Sequence, residues 1–192
     1  MRTFITVLFL IFSLQSWTKA DDIKDFQIEG ISIGDSLLDY FTEEEINKSL
    51  ISDYPNSDKY KRVQFIKHKR LKIYDAMHIS YLKNDKNKKI HSLSGMRDYI
   101  NNIEACLNKK DIILGEIRDL FKDVNIEDRG KRAHSQDKSK KSFTYSVQIK
   151  FISNDRVSIA CYDWSKKMGF KDHLRISISN KDFVNWINTE AY

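Results

Sequence analysis

A serine, an aspartate and a histidine are the residues whose types and spacing could support nucleophilic chemistry. Ser36 lies in a Gly-Asp-Ser-Leu segment at 34–37, between a short alternating stretch and a helix-like pattern. A serine hydroxyl becomes an effective nucleophile only when a neighbouring base takes its proton. The only Asp-x-x-His sequence in the chain, at 75–78, makes His78 the candidate base. A simpler interpretation is a turn glycine followed by a helix-capping Asp35 or Ser36, and this is the role that we expect.

The 34–37 segment resembles the nucleophile block of GDSL-type lipases and esterases, which are often exported. The resemblance implies that Ser36 is the nucleophile, that His78 is its base, and that the reaction is ester hydrolysis. The chain departs from that family in three respects. The family keeps its Asp-x-x-His near the C-terminus, its Gly-x-Asn-Asp block has no counterpart here, and its sheet is parallel. A GDSL-like ester hydrolase using Ser36 is therefore the alternative function, and no residue is assigned as catalytic in the leading one.

A second serine pattern spans residues 30–34, which read Gly-Ile-Ser-Ile-Gly and fit the Gly-x-Ser-x-Gly nucleophile elbow. An α/β-hydrolase builds its oxyanion hole from strands that precede the elbow. Too few residues precede this pattern for that fold, so we expect Ser32 to have no catalytic role.

The five histidines do not form a metal motif. None lies four residues from another, and none forms a Cys/His cluster with zinc spacing. His78 shares a strand face with Ser80 and is expected to face solvent, and a cross-strand pair with His91 is the one metal site that we considered. We expect no metal and no cofactor.

The two cysteines, Cys106 and Cys161, are predicted to form a disulfide. An even number of cysteines in an exported chain favours pairing. Cys106 lies on an apolar helical stripe that runs from Ile103 to Val124, and Cys161 alternates with Val157 and Ile159 on one strand face. Both thiols would therefore face the core, where two separate buried cysteines are the alternative.

The first twenty residues have the three parts of a secretory signal peptide. Arg2 supplies the positive start, an apolar stretch covers 4–12, and the small residues Thr18 and Ala20 precede Asp21. Because a membrane-spanning helix needs about 20 apolar residues, this stretch is short for an anchor. We expect cleavage near Ala20 and a periplasmic or extracellular location, with an uncleaved N-terminal anchor as the alternative.

Composition and alternation predict one α+β domain over 21–192. The 192-residue chain is 41% hydrophobic and 31% charged, which excludes a disordered chain and a multi-span membrane protein. Residues 143–151 alternate most clearly, and we expect further strands at 26–29, 63–66, 71–73, 77–81, 90–93, 157–162 and 174–178. Helices are expected at 36–41, 42–50, 101–122 and from 181 onward, with a capping box at 42–45 opening the second and a similar capping sequence at 179–182 opening the last. Residues 127–141 are expected to be a polar loop. Hairpin-linked strands favour an antiparallel sheet packed by helices.

The two halves, 26–99 and 100–192, have similar patterns. Ile79 is followed by Asn84-Asp85-Lys86 at the same spacing as Ile149 is followed by Asn154-Asp155-Arg156. A duplicated helix-plus-hairpin unit is one interpretation of this pattern, and the general likeness of any two hairpins is the other.

Two basic stretches and one aromatic group are the remaining candidates for binding. The stretches cover 59–72 and 129–141, and polybasic segments attract anionic lipid or other polyanions. Solvated edge strands also carry many lysines, which is the interpretation that we favour. Tyr162, Trp164 and Phe170 could line a ligand cleft or cap the core, and we expect the cap. An anionic membrane surface or a protein is a candidate partner, and nucleic acid is not expected.

The stretch 26–41, FQIEGISIGDSLLDYF, resembles the opening of uncharacterised exported proteins of marine alphaproteobacteria. The resemblance implies export and no particular activity. The sequence therefore predicts a small exported protein, a non-enzymatic binding or envelope-associated module, without naming a ligand.

Overall fold

One antiparallel sheet organises the computed structural model, which describes residues 23–51, 54–121 and 124–192. The predicted signal peptide at 1–20 lies outside these residues. The sheet has seven strands in the described part of the chain: β1 (Tyr60–Ile66), β2 (Ala76–Leu82), β3 (Ile90–Asp98), β4 (Asn125–Ala133), β5 (Phe143–Lys150), β6 (Arg156–Asp163) and β7 (His173–Ser179). The described α-helices are α1 (Glu43–Lys48), α2 (Ile103–Leu120) and α3 (Lys181–Thr189). The predicted α+β class is confirmed.

The strand order is β1-β2-β3-β7-β6-β5-β4, so β7 lies at the centre and β1 and β4 lie at the edges. Two meanders, one from each half of the chain, are joined by the antiparallel pairing of β3 with β7. Ile79 and Ile149 occupy one cross-sheet row on the same face. The duplication of the two halves stays a prediction.

Side-chain caps explain where the helices begin. The predicted capping box at α1 is confirmed, because the Thr42 hydroxyl accepts from the Glu45 N–H and the Glu45 carboxylate accepts from the Thr42 N–H. Asn102 caps α2 and Asn180 caps α3 through their side-chain oxygens. These bonds satisfy backbone donors that a helix cannot pair internally.

The apolar face of the sheet carries the core, and it is covered by α2 and by residues 23–46. Its central row consists of Val63, Ile79, Leu93, Ile178, Val157 and Ile149, all fully buried or nearly so. The predicted disulfide is confirmed: Cys106 of α2 is bonded to Cys161 of β6, with their Cα atoms 6.0 Å apart. The longest helix is thereby linked covalently to the apolar face.

Three predicted elements are wrong. Residues 71–73 form no strand, because the Glu29 carboxylate accepts the N–H groups of Lys72, Ile73 and Tyr74 and so holds this segment in a turn. Residues 26–29 form only an isolated bridge between Ile28 and Ile31. The predicted loop at 127–141 begins as strand β4, which has no apolar alternation because it is a largely exposed edge strand.

The apolar stripe of α2 also differs from the prediction. Cys106, Leu114 and Ile117 are its buried residues, whereas Leu120 is 62% exposed. The helix packs against β6 and β7, so its buried residues are those that face these two strands.

Candidate functional site

Ser36 has a structural role at the start of a short helical turn. Its hydroxyl donates to the Asn87 carbonyl at 2.7 Å and accepts from the Leu38 N–H at 3.2 Å. The Asp35 carboxylate accepts from the Ser32 N–H and from the Tyr40 hydroxyl. The expected helix-cap role of Ser36 is confirmed, and both of its hydrogen bonds go to backbone atoms.

His78 does not meet Ser36. Ser36 lies beside the β2–β3 turn, whereas His78 lies in the middle of β2 on the face opposite the core. The Asp75 carboxylate accepts from the Asp98 backbone N–H at 2.9 Å, so it does not orient His78 toward a serine.

The cross-strand pair of His78 with His91 does not form. The register of β2 with β3 places Ser94 opposite His78. His91 is buried, with its Nδ1 2.9 Å from the Asn180 side-chain nitrogen and 3.5 Å from the Tyr60 hydroxyl. Within the described ranges, no group of three or more His, Cys, Asp or Glu residues could hold a metal ion.

The sheet face opposite the core is polar over most of its width, and we call it the polar face. Its residues fall in rows that cross the strands. One row contains Arg62, Ser80, Ser92, Ser179, Arg156 and Lys150, and the next contains Gln64, His78, Ser94, Ser177, Ser158 and Gln148. Six serines thus lie in two adjacent rows near the centre of the sheet.

The serines bond mainly to each other across the β3–β7 junction. The Ser92 and Ser179 hydroxyl oxygens are 2.8 Å apart, and the Ser94 hydroxyl donates to Ser177 at 2.8 Å. The Tyr54 and Ser80 hydroxyls are 3.1 Å apart. Because serine side chains are short, these six residues form a low surface with room for a ligand above it. We call this surface the serine floor.

Helix α3 forms a wall at one end of this floor. Trp186 anchors the helix: it is almost fully buried, lies against the rings of Tyr54 and Tyr60, and donates from its indole nitrogen to the Ser57 hydroxyl. Phe183 and Val184 line a cavity of about 280 Å³ between the helix and the serine floor. The cavity therefore has a polar floor and a partly apolar wall.

Three arginines from three different strands line the same cavity: Arg62 of β1, Arg156 of β6 and Arg175 of β7. The Nε atom of each is buried and has no hydrogen-bond partner among the described residues. No aspartate or glutamate is among the described residues that line this cavity. The described lining of the cavity therefore carries three positive charges and no negative one.

The charge of this cavity is also evident at His78. Burial, followed by the nearby Arg175 and Arg62 charges, lowers the pKa of His78 to about 3. His78 is therefore neutral at neutral pH, and its Nε2 atom is buried without a hydrogen-bond partner among the described residues. His78 does lie on the face opposite the core, as predicted, but it is half-buried and not fully exposed.

The carboxylate in the row of His78 is at the far edge of the sheet and is already paired. Glu127 of β4 lies 2.9 Å from the Lys150 ammonium and 3.2 Å from the Arg129 Nε. The hydrogen bond from Lys150 is the main reason why the pKa of Glu127 is lowered. Glu127 is thus paired with Lys150 and Arg129, and of the three cavity arginines its charge also acts on Arg156.

The aromatic group predicted to cap the core lies instead at the other end of the polar face. Tyr162 follows Cys161 in β6 and faces away from the core, with its ring 4.6 Å from that of His173. Trp164 lies 4.3 Å from His134 and 4.8 Å from Phe170, ring centre to ring centre. We call these five residues the aromatic shelf.

The two basic stretches lie on opposite edges of the sheet. Residues 59–66 lead into and form β1, and residues 129–133 belong to β4. Several of their charges have local partners, such as Lys69 with Glu45 and Lys131 over the Phe143 ring. The two stretches therefore do not form one continuous basic patch.

The sequence did not predict the polar face, except that His78 and Ser80 were expected to lie on the same face of one strand. A signal was present, since Ser92 and Ser94, and likewise Ser177 and Ser179, alternate with apolar residues. What the spacing could not supply was the pairing of β3 with β7, which brings these serines together.

In the part of the chain that the structure describes, no helix combines the length and the apolar character needed to cross a membrane. Comparisons of the chain with protein-family models, curated proteins and solved structures gave no match.

Proposed function

We propose that this protein is an exported binding module that holds an anionic group of a small ligand on its polar face. The observation that carries the proposal is that Arg62, Arg156 and Arg175 all line one cavity whose described lining has no acidic residue. Partly buried charges without a counter-charge destabilise a fold, so a bound anion is the natural partner for them.

The donors around the cavity suit an oxyanion such as a phosphate, sulfate or carboxylate. A guanidinium presents planar, paired N–H donors that match these groups and stays charged at all physiological pH values. The serine hydroxyls and neutral His78 add donors that carry no charge. A volume of about 280 Å³ is near the lower end of small-molecule sites, which favours a compact ligand or one anionic end of a larger ligand.

The second part of the proposal is that the protein is exported from the cytoplasm. The disulfide is compatible with an oxidising location outside the cytoplasm, where such bonds persist. The signal-like residues 1–20 and the resemblance of 26–41 to exported proteins support the same location. Ligand capture without chemistry is the role we assign, because in the described part of the chain the Ser36 hydroxyl bonds to the backbone atoms of Asn87 and Leu38.

Isothermal titration calorimetry of the purified protein with inorganic phosphate tests this function. We expect saturable binding that is weakened about tenfold or more by Arg175→Gln, because one charge-assisted hydrogen bond contributes roughly 1.5–3 kcal/mol. Arg97→Gln is the matched control: Arg97 is on the neighbouring strand β3, is exposed, and faces the opposite side of the sheet.

Affinity for phosphate should be the same in Arg97→Gln as in the wild type. The proposal is wrong if phosphate shows no saturable binding, or if Arg175→Gln and Arg97→Gln change its affinity equally.

A further inference from the structure

The aromatic shelf is a second binding feature, and it is separate from the core. None of its five residues belongs to either hydrophobic cluster of the described chain. Phe170 is 57% exposed. The indole nitrogen of Trp164 and the Nε2 atom of His173 are buried and have no hydrogen-bond partner among the described residues. Aromatic side chains that do not pack into a core are available to stack with a planar ligand.

Buried hydrogen bonds hold the shelf in place. The Asp137 carboxylate accepts from the hydroxyls of Ser139, Ser142 and Ser165, and it thereby joins the loop after His134 to the residue after Trp164. These bonds, led by those from Ser139, keep the pKa of Asp137 far below its usual range. The Trp164 backbone N–H donates to the Asp172 carboxylate at 2.7 Å.

The shelf is continuous with the cationic cavity. The Arg175 guanidinium lies 5.3 Å from the centre of the Tyr162 ring, and Arg175 also lines the cavity. His173 and Arg175 are two residues apart on one strand, so their side chains leave the sheet about 7 Å apart. An anion at Arg175 would thus have a stacking surface beside it on the side away from α3.

From this juxtaposition we infer that the ligand is a small aromatic acid: a planar ring that stacks on the shelf and carries the oxyanion held by Arg175. The inference rests on the proposed function and specifies its ligand class. Stacking of a ring on a protein aromatic strengthens binding by roughly five- to 150-fold, which is enough to distinguish such a ligand from a bare anion.

Titrations with 1-naphthyl phosphate, inorganic phosphate and 1-naphthol test the inference. We expect 1-naphthyl phosphate to bind at least about tenfold more tightly than either of the other two, because only it uses both features. Binding should quench the fluorescence of Trp164, whereas the fluorescence of Trp186, which is almost fully buried, should not change.

Two variants of the aromatic shelf and one control variant test where the ring of the ligand binds. Phe170→Ala and Trp164→Leu should each reduce the affinity for 1-naphthyl phosphate several-fold while leaving that for inorganic phosphate unchanged. Ile152→Ala, which removes an apolar side chain that is 87% exposed and lies in the β5–β6 turn, should change neither affinity. Phe170 is exposed, so its variant keeps the test valid even if Trp164→Leu does not fold.

The outcomes separate the inference from the proposed function. If inorganic phosphate binds through Arg175 but 1-naphthyl phosphate binds no more tightly, the ligand class is wrong and the anion site stands. If 1-naphthol binds as tightly as 1-naphthyl phosphate, the coupling of ring and anion is wrong. If no phosphate compound binds, both proposals fail.

Discussion

The two faces of the sheet are built from the same strands, yet they have opposite character. On the apolar face, the row through Ile79, Leu93 and Ile178 is fully buried beneath α2 and the N-terminal segment. The neighbouring residues of these strands, Ser80, Ser92 and Ser179, point to the polar face. They form part of the serine floor and lie in one row between Arg62 and Arg156. Successive side chains of a strand point to opposite faces of the sheet. The same strands therefore carry core residues on one face and the proposed binding residues on the other.

The largest expected effect concerns the apolar face alone. Replacing both cysteines (Cys106→Ala with Cys161→Ala) should lower the free energy of unfolding by about 4 kcal/mol, since the bond closes a loop of 55 residues. Urea denaturation measures the loss, and phosphate affinity in the folded variant should be unchanged. Lost phosphate binding in a folded variant would show that the two faces are coupled.

A substitution on each face at adjacent positions of β3 gives the most direct contrast. Leu93→Ala should destabilise the fold by about 3 kcal/mol, because it leaves a cavity in the core. Ser94→Ala should destabilise it by no more than about 1 kcal/mol, the usual contribution of one hydroxyl bond. Equal losses in urea denaturation would contradict the division between the faces.

The pH dependence of stability tests the charge of the polar face. The pKa of His78 is lowered to about 3 in the folded state, mainly by burial and then by Arg175 and Arg62. The unfolded chain therefore takes up a proton near pH 6.5 that the folded protein refuses, and stability is lost as the pH falls from there toward 3.

We expect His78 to account for a loss of about 2 kcal/mol between pH 6.5 and about pH 5. Urea denaturation at a series of pH values should show this loss in the wild type and a shallower loss in His78→Gln. Identical slopes for the two proteins would mean that His78 titrates normally. Above pH 7 His78 is neutral in both the folded and the unfolded protein. The free energy of unfolding of the wild type in that range is therefore the reference value.

The smallest expected effect has the opposite sign. Arg175→Met should stabilise the ligand-free protein by about 1 kcal/mol at low ionic strength, because it removes an unbalanced charge near Arg62. Arg97→Met, on the apolar side of the neighbouring strand, should leave the thermal midpoint within about 1 °C. Destabilisation by Arg175→Met would indicate that the arginine is structural and would favour a different role for the cavity.

Local signals explain what the sequence could predict. The capping residues Thr42 and Asn180, the strand at 143–149 and the inward position of Cys106 each depend on residues a few positions apart, and each matches the structure. The disulfide could be predicted because both cysteines lie on apolar faces of such elements.

The binding face depends on pairings that no local pattern specifies. Ser92 and Ser179 are 87 positions apart, and only the register of β3 with β7 brings their hydroxyls together. Strand β4 was missed because an exposed edge strand needs no apolar alternation, and its neighbour β5 supplies the pairing. Three of the five residues of the aromatic shelf, Tyr162, Trp164 and Phe170, were grouped from the sequence, but they were expected to cap the core. Tyr162 faces away from the core because it follows Cys161, which faces the core, in β6.

The most direct test of the anion site observes the arginines themselves. In ¹H–¹⁵N spectra of the Nε–H groups, inorganic phosphate should shift the signals of Arg62, Arg156 and Arg175 together along one saturation curve. The signals of Arg97 and Arg118, which are exposed elsewhere on the molecule, should stay in place. No saturable shift of the three cavity arginines, or an equal drift of all five signals, would contradict the account.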